Sequence, residues 1–251
     1  MKKMQYSLLT PPKYNDKLKL RQTHFNFDNK CILSQLDFKL EDICSLYNIS
    51  IEPLNKKNAF LQEKIKETPY PSDVTNDDEY RALRINQSID QQTDKINSMN
   101  SFLNQVTAVY VWVLVEQTEN KLISLIEKEL NSIEHDGFTD WKRRKKYFKD
   151  FNIKVDSFKQ YFQVLELQKF NNKVKHLGKV DEELSKTKTF RGKLNYPLEY
   201  ITIPIVDYLN CSYLYLIDLL CEIESKIFKN TLRRTEIKNK QILRLFKTLL
   251  F

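Results

Sequence analysis

Lys169, Asn172 and His176 stand three and four residues apart in the stretch LELQKFNNKVKH, a spacing that lines side chains up on one face of an α-helix. Together they supply a cation, a hydrogen-bonding amide and a group that titrates near neutral pH, which suits holding a phosphate and moving a proton. Cleavage of RNA by its own 2′-hydroxyl needs those functions: a base for the hydroxyl proton, an acid for the leaving oxygen, and donors for the charged phosphorane. Such chemistry calls for neither metal nor cofactor, and none is expected. The competing reading is structural: a histidine two residues before Gly178 complements the negative end of a helix dipole, as neighbouring lysines do. The other histidines, His24 and His135, fall in irregular stretches and read as surface or capping residues.

Other chemistries have no signature. The chain has no glycine-rich phosphate loop, no HExxH and no GxSxG, so the motifs that announce nucleotide, zinc-protease or serine-hydrolase chemistry are missing. Cysteines at 31, 44, 211 and 221 make no CxxC pair and read as small buried hydrophobes of a reducing compartment. Two lysines precede an N-terminal apolar run too short for a secretion signal. The most apolar run, AVYVWVLV at 108–115, is far shorter than the roughly 20 residues of a membrane span. A cytoplasmic protein with no membrane partner is expected.

The net charge of +8 is unevenly placed. Residues 141–193 hold 16 Lys and Arg against 6 Asp and Glu, a surplus of +10, while the rest of the chain is at −2. A concentrated basic region is the electrostatic footprint of a polyanion binder. Lys142, Arg143, Arg144, Lys145, Lys146, Lys173 and Lys175 are the residues expected to bind RNA. Trp141, Tyr147 and Phe148 within WKRRKKYFK can stack on bases or, the commoner use of helical aromatics, fill a core.

These residues need helices to position them. Only 3 glycines and 7 prolines argue against strands joined by tight turns, so an all-α fold is expected. Residues 1–30 read as extended or irregular. One helix is predicted to start after Ser34 and run through LDFKLEDICSLY, and a second to cover KNAFLQEKIKE up to Thr68-Pro69. TPYPSD then marks a boundary, giving a partly helical N-terminal module (1–75) and a larger helical domain (76–251). From Asp77 to Leu130 there is no glycine or proline. Ile85, Ile89, Ile96, Met99, Leu103, Val106, Tyr110, Val113, Leu122 and Leu125 recur mostly at helical spacing, which predicts one very long helix or two nearly collinear ones.

Gly137 reads as its stop, and Thr139 or Asp140 as the cap of a short basic helix. The next helix is predicted to be capped by Asp156 with Val155 as a staple. Its stripe runs Phe158, Phe162, Leu165, Lys169, Asn172, His176, apolar at the start and polar at the end. An irregular link with a short hairpin around Tyr196–Ile203 leads to Pro204, which suits the first turn of a last long helix apolar over a wide arc. TLRRTEIKNKQILRLFKTLLF closes the chain as a basic amphipathic segment.

The order of a basic helix, DSFKQYFQVLELQKFNNKVKHLGKV, an irregular link and a long apolar helix resembles the HEPN superfamily over roughly residues 100–230. Its sharpest part is LELQKFNNKVKHLG. The resemblance implies an HEPN-like helical bundle with long antiparallel helices. It further implies a metal-independent endoribonuclease that dimerises so that two Arg-x4-6-His motifs form one site, often in toxin-antitoxin or antiviral defence systems with an antitoxin partner. His176 would be the family histidine and Asn172 the polar residue of the motif. The family arginine would fall at 169–171, where this chain has Lys169, Phe170 and Asn171. Lysine keeps the charge and loses the planar two-pronged grip on phosphate.

Apolar arcs on 108–115 and on the last long helix are expected to leave surface for the two-fold contact. The alternative is a non-catalytic helical scaffold or regulatory subunit that binds a protein partner.

Overall fold

The computed structural model describes residues 8–12, 27–176 and 178–228, and the expectations for His24 and for the basic C-terminal segment lie outside them. Among the described residues six α-helices follow in order: α1 (Phe27–Glu67), α2 (Asp77–Asn131), α3 (Trp141–Asp150), α4 (Tyr161–His176), α5 (Glu182–Ser185) and α6 (Ile205–Ile223). Short 3-10 turns occupy Val155–Ser157 and Leu198–Tyr200, and a π-helical turn, Glu224–Phe228, follows α6. The fold is all-α. Among the described residues the sole β feature is an isolated antiparallel bridge between Lys179 and Pro197, in place of the expected hairpin. No helix among them is long and apolar enough to cross a membrane.

Two predicted helices are one. α1 runs 41 residues with Pro53 inside it, starting within the stretch read as irregular. Leu33, Leu36, Leu40, Cys44, Tyr47, Ile51, Asn58 and Leu61 are buried along its length, at steps of three, four or seven. Pro53 sits on the exposed side of this stripe. It removes one backbone donor, and the packing of the buried face on both sides of it outweighs that loss.

The 55-residue α2 is continuous, as its lack of breakers requires. Its start is a capping box: the Glu79 N–H donates to Asn76 Oδ1 at 3.0 Å, while Glu79 Oε2 accepts from the N–H groups of Thr75 at 2.6 Å and Asn76 at 3.1 Å. Its end comes before Gly137. Ser132 takes the left-handed conformation at φ 55° and donates its N–H to Lys128 O at 3.1 Å. Gly137 instead belongs to the following loop, at φ 83°. Asp140 caps α3 as expected, accepting from the Lys142 N–H at 2.9 Å.

The chain divides into two compact units. One comprises 8–11, Leu40–Val111 and Glu166–Tyr208; the other comprises Pro12, 27–39, Trp112–Leu165 and 209–228. The expected boundary after residue 75 falls inside the first unit. That unit is built on Phe170, stacked on Phe190 with centroids 5.6 Å apart, together with Leu167, Val180, Leu184 and Leu198, all at most 1% exposed. Each such side chain contributes about 1.5–3 kcal/mol by leaving water.

The second unit is built on Trp112 edge-on to Trp141 at 5.5 Å, and Leu122, Ile126, Phe148 and Tyr215 are buried in the same unit. α6 is buried over more than half its circumference, with Tyr208, Leu209, Tyr213, Tyr215, Leu216, Ile217 and Leu220 all inside, as its apolar sequence predicts.

Candidate functional site

The six residues read as one stripe of α4 do not form its buried face. Phe158 precedes the helix, with its ring 5.6 Å from that of Tyr215, and Asp156 lies in the 3-10 turn before it rather than at its cap. Phe162 is 73% exposed. The buried line is displaced around the helix: Tyr161, Val164, Leu167, Phe170 and Asn171. The physical reason is a near tie, because both lines begin with aromatic residues and the deciding contacts, Phe190 and Tyr208 against Phe170, come from distant sequence.

This displacement puts the candidate chemistry in water. Asn172 and His176 are exposed and Lys169 is half-buried, its Nζ 3.4 Å from Glu183 O. His176 ends α4, and Lys173 and Lys175 share its last turn. Gly178, at φ 61°, donates its N–H to Lys173 O at 2.9 Å, closing a turn that an L side chain rarely adopts.

Lys173 is tied down: its Nζ lies 2.6 Å from Asp181 Oδ2, and Asp181 also caps α5 by accepting from the Leu184 N–H at 2.9 Å. Burial pushes the Asp181 carboxyl up, but the Lys173 and Leu184 donors outweigh it and hold it below its ordinary value. Lys175 is exposed. A buried carboxylate lies deeper in the same unit: Glu166 accepts from Tyr208 Oη at 2.9 Å and from the Thr189 N–H at 3.0 Å, and burial beside Glu166 pushes the Tyr208 phenol far up.

In the second unit α3 sorts its basic residues. Lys142, Arg143, Lys146 and Lys149 are exposed. Arg144, expected to bind RNA, is fully buried: its Nε donates to Glu119 Oε2 at 2.7 Å, and its Nη1 to Glu116 Oε1 at 2.8 Å and to Phe138 O at 2.5 Å. Glu119 Oε1 accepts in addition from Trp141 Nε1 at 3.2 Å and Tyr215 Oη at 2.7 Å. Burial pushes the Glu119 carboxyl up, opposed by the Arg144 guanidinium and the Tyr215 and Trp141 hydrogen bonds.

Arg144 recurs with Trp141 and Phe148 on the apolar face of α3, and that register takes it inside. Trp141 and Phe148 are core residues, and Tyr147 donates its hydroxyl to Glu127 at 2.7 Å, so base stacking by these three is replaced by packing. Lys145 is held by aromatics. Its Nζ lies 2.9 Å from Tyr161 Oη and 4.6 Å from the Trp141 ring centroid.

A cavity of about 510 Å³ opens beside α3, lined by Lys145, Lys146, Lys149, Ile153, Lys154, Val155 and Asp156. Lys149 and Lys154 were missed as site residues in the sequence, although their place in the basic region was visible. A second cavity, about 780 Å³, lies in the other unit and contains none of the sequence-predicted residues; Phe60, Leu61, Tyr80, Ile85 and Ile89 line it with Lys64, Arg81 and Arg84.

His135 is a loop residue whose Nδ1 accepts from the Gly137 N–H at 2.7 Å. The apolar arcs expected to leave surface for a two-fold contact are taken up within the chain, since Ala108, Val111, Trp112, Leu114 and Val115 are buried, as is most of α6. Comparison of the chain with protein-family models, with curated proteins and with solved structures finds no match.

Proposed function

We propose that the chain is an HEPN-like RNA-binding protein of the cytoplasm and a metal-independent endoribonuclease of a toxin-antitoxin or antiviral defence system. The observation that carries the binding half is the sorting of α3. Four of its basic residues, Lys142, Arg143, Lys146 and Lys149, face water, and its arginine at 144 and its aromatics at 141 and 148 are spent on the core. An outward row of cations on a helix anchored by its other face is what a phosphate backbone neutralises, with release of counterions.

The cleavage half rests on Asn172 and His176 being exposed on the last two turns of α4, which also carry Lys169. His176 moves the proton, Lys169 holds the phosphate and Asn172 orients one or the other. The RNA's 2′-oxygen attacks the adjacent phosphorus and the 5′-oxygen leaves with a proton, giving a 2′,3′-cyclic phosphate. A single histidine serves one proton transfer, so a second copy of the chain supplies the other in a homodimer.

Fluorescence anisotropy on a labelled RNA between 50 and 300 mM salt tests the binding. The magnitude of the slope of log K against log salt falls by about 1.4–1.8 in Lys142→Gln/Arg143→Gln, each phosphate contact contributing roughly 0.7–0.9. An unchanged slope refutes the assignment. A second reading, a non-catalytic scaffold for a protein partner, is favoured by the apolar 780 Å³ groove with its exposed Arg81 and Arg84 and by lysine at 169. RNA that stays intact under every condition favours it.

A further inference from the structure

We infer that the cavity beside α3 is a site for a compact polyphosphate group, such as the 5′-terminal triphosphate of an RNA or a free nucleoside triphosphate. The inference rests on the RNA-binding reading and names what one part of that surface selects.

Three observations carry it. The first is charge. Lys145, Lys146, Lys149 and Lys154 line one cavity against a single carboxylate, Asp156. On α3, Lys145 and Lys149 are four residues apart and Lys146 and Lys149 three apart, so like charges crowd one face of a single helix. Such pairs are unfavourable unless an anion sits between them. Among the described residues none of these four lysines is within salt-bridge distance of an acidic side chain.

The second observation is preorganisation. Lys145 reaches the cavity along a fixed path, with its ammonium held by Tyr161 Oη at 2.9 Å and over the faces of Trp141 at 4.6 Å and Tyr161 at 5.2 Å. Both rings are at most 9% exposed. A lysine that only solvates a surface keeps its rotamer freedom; one fixed against buried rings has already lost it before a ligand arrives.

The third observation is shape. Ile153 and Val155 are at most 3% exposed and give the cavity a rigid wall, and about 510 Å³ falls within the range of small-ligand sites. A continuous backbone presents one charge per residue along a line. A concave site lined by four lysines suits several charges on adjacent phosphorus atoms.

The test compares one short RNA carrying a 5′-triphosphate with the same RNA carrying a 5′-hydroxyl, both by anisotropy in EDTA. Sodium triphosphate and ATP are titrated separately by calorimetry. The triphosphate RNA binds about tenfold tighter than the hydroxyl RNA, the scale of one or two added charge-assisted contacts. The preference falls to about onefold in Lys149→Glu/Lys154→Glu and stays near tenfold in Lys186→Glu/Lys188→Glu, which carries the same charge change outside both the cavity and the outward row of α3.

Both pairs are exposed, and circular dichroism of each variant verifies the fold. Binding of ATP or triphosphate alone, abolished by Lys149→Glu/Lys154→Glu, assigns the site to free nucleotides. Preference confined to the RNA assigns it to RNA ends. Equal affinity for the two RNAs together with no heat from triphosphate overturns the inference and leaves backbone binding standing. Failure of both RNAs to bind, with triphosphate still captured, overturns the RNA reading and leaves the site.

Discussion

Replacing Arg144 by methionine should destabilise the second unit's core rather than weaken RNA binding directly. The guanidinium is fully buried and so is Glu119, its partner at 2.7 Å, while Glu116 is 29% exposed. Arg144→Met would leave Glu119 with two neutral donors, Trp141 Nε1 and Tyr215 Oη, and no cation. Breaking a buried pair from one side costs about 3–5 kcal/mol. At roughly 2–4 °C per kcal/mol for a chain of this size, the melting temperature falls by about 6–20 °C.

Removing both charges restores part of the loss. In Arg144→Met/Glu119→Gln the amide still accepts from Trp141 and Tyr215 and the part-exposed Glu116 is solvated, so no fully buried ion is left unpaired and the double variant should be more stable than Arg144→Met by about 1–2 kcal/mol. Urea unfolding followed at 222 nm measures both differences. A loss below about 1 kcal/mol for Arg144→Met, or an unchanged urea midpoint with weakened RNA binding, would refute the buried network and return Arg144 to the surface.

Other consequences are local. Gly137→Ala should destabilise by about 1–3 kcal/mol in urea, because φ 83° disfavours an L residue and the added Cβ would run into Asn120 Oδ1, which accepts the Phe138 N–H at 3.0 Å; an unchanged midpoint would mean that the loop takes another path. Burial, aided by Glu41, pushes the Cys44 thiol up to about 11. Iodoacetamide at pH 8 should therefore leave Cys44 unmodified in the native protein and label it after unfolding, as read by mass spectrometry. Asp181 is held below its ordinary value of 3.8, so it stabilises the fold above that value and loses the contribution as pH falls through its lower native one. Asp181→Asn should be less stable than the native chain at pH 6, and the two should converge in thermal melts as pH falls below the carboxyl's lowered native value. A difference that persists at low pH would show that the carboxylate's charge is not its source.

The fold class was legible because its signals are local. An absence of breakers from Asp77 to Leu130 fixes α2, Asp140 ahead of a basic run caps α3, and the near-continuous apolar residues of α6 require burial on a wide arc. What was not legible depends on contacts between distant residues. Pro53 should end a helix on propensity alone, yet Ile51 and Leu61 are buried on either side of it.

On α4 the apolar pattern admits two faces one position apart, and contacts from Phe190 and Tyr208 choose the other one. Periodicity in α2 drifted in the same way: Ile89, Ile96 and Leu122 are buried, whereas Met99 and Tyr110 are 48% and 59% exposed. Arg144 was misread because a count of basic residues carries no direction. Its step from Trp141 and to Phe148 placed it on the inner face, and the carboxylates that neutralise it, Glu116 and Glu119, lie more than twenty residues earlier.

Incubation of the purified chain with mixed RNA in EDTA, alongside His176→Ala, with the fragment ends identified chemically, puts the proposed cleavage to its sharpest test. Fragments ending in 2′,3′-cyclic phosphate are expected from the native chain and none from the variant, with both binding RNA equally. Fragments of the same kind from both proteins, or intact RNA with the native chain under all conditions, would contradict His176 as the proton-transfer group.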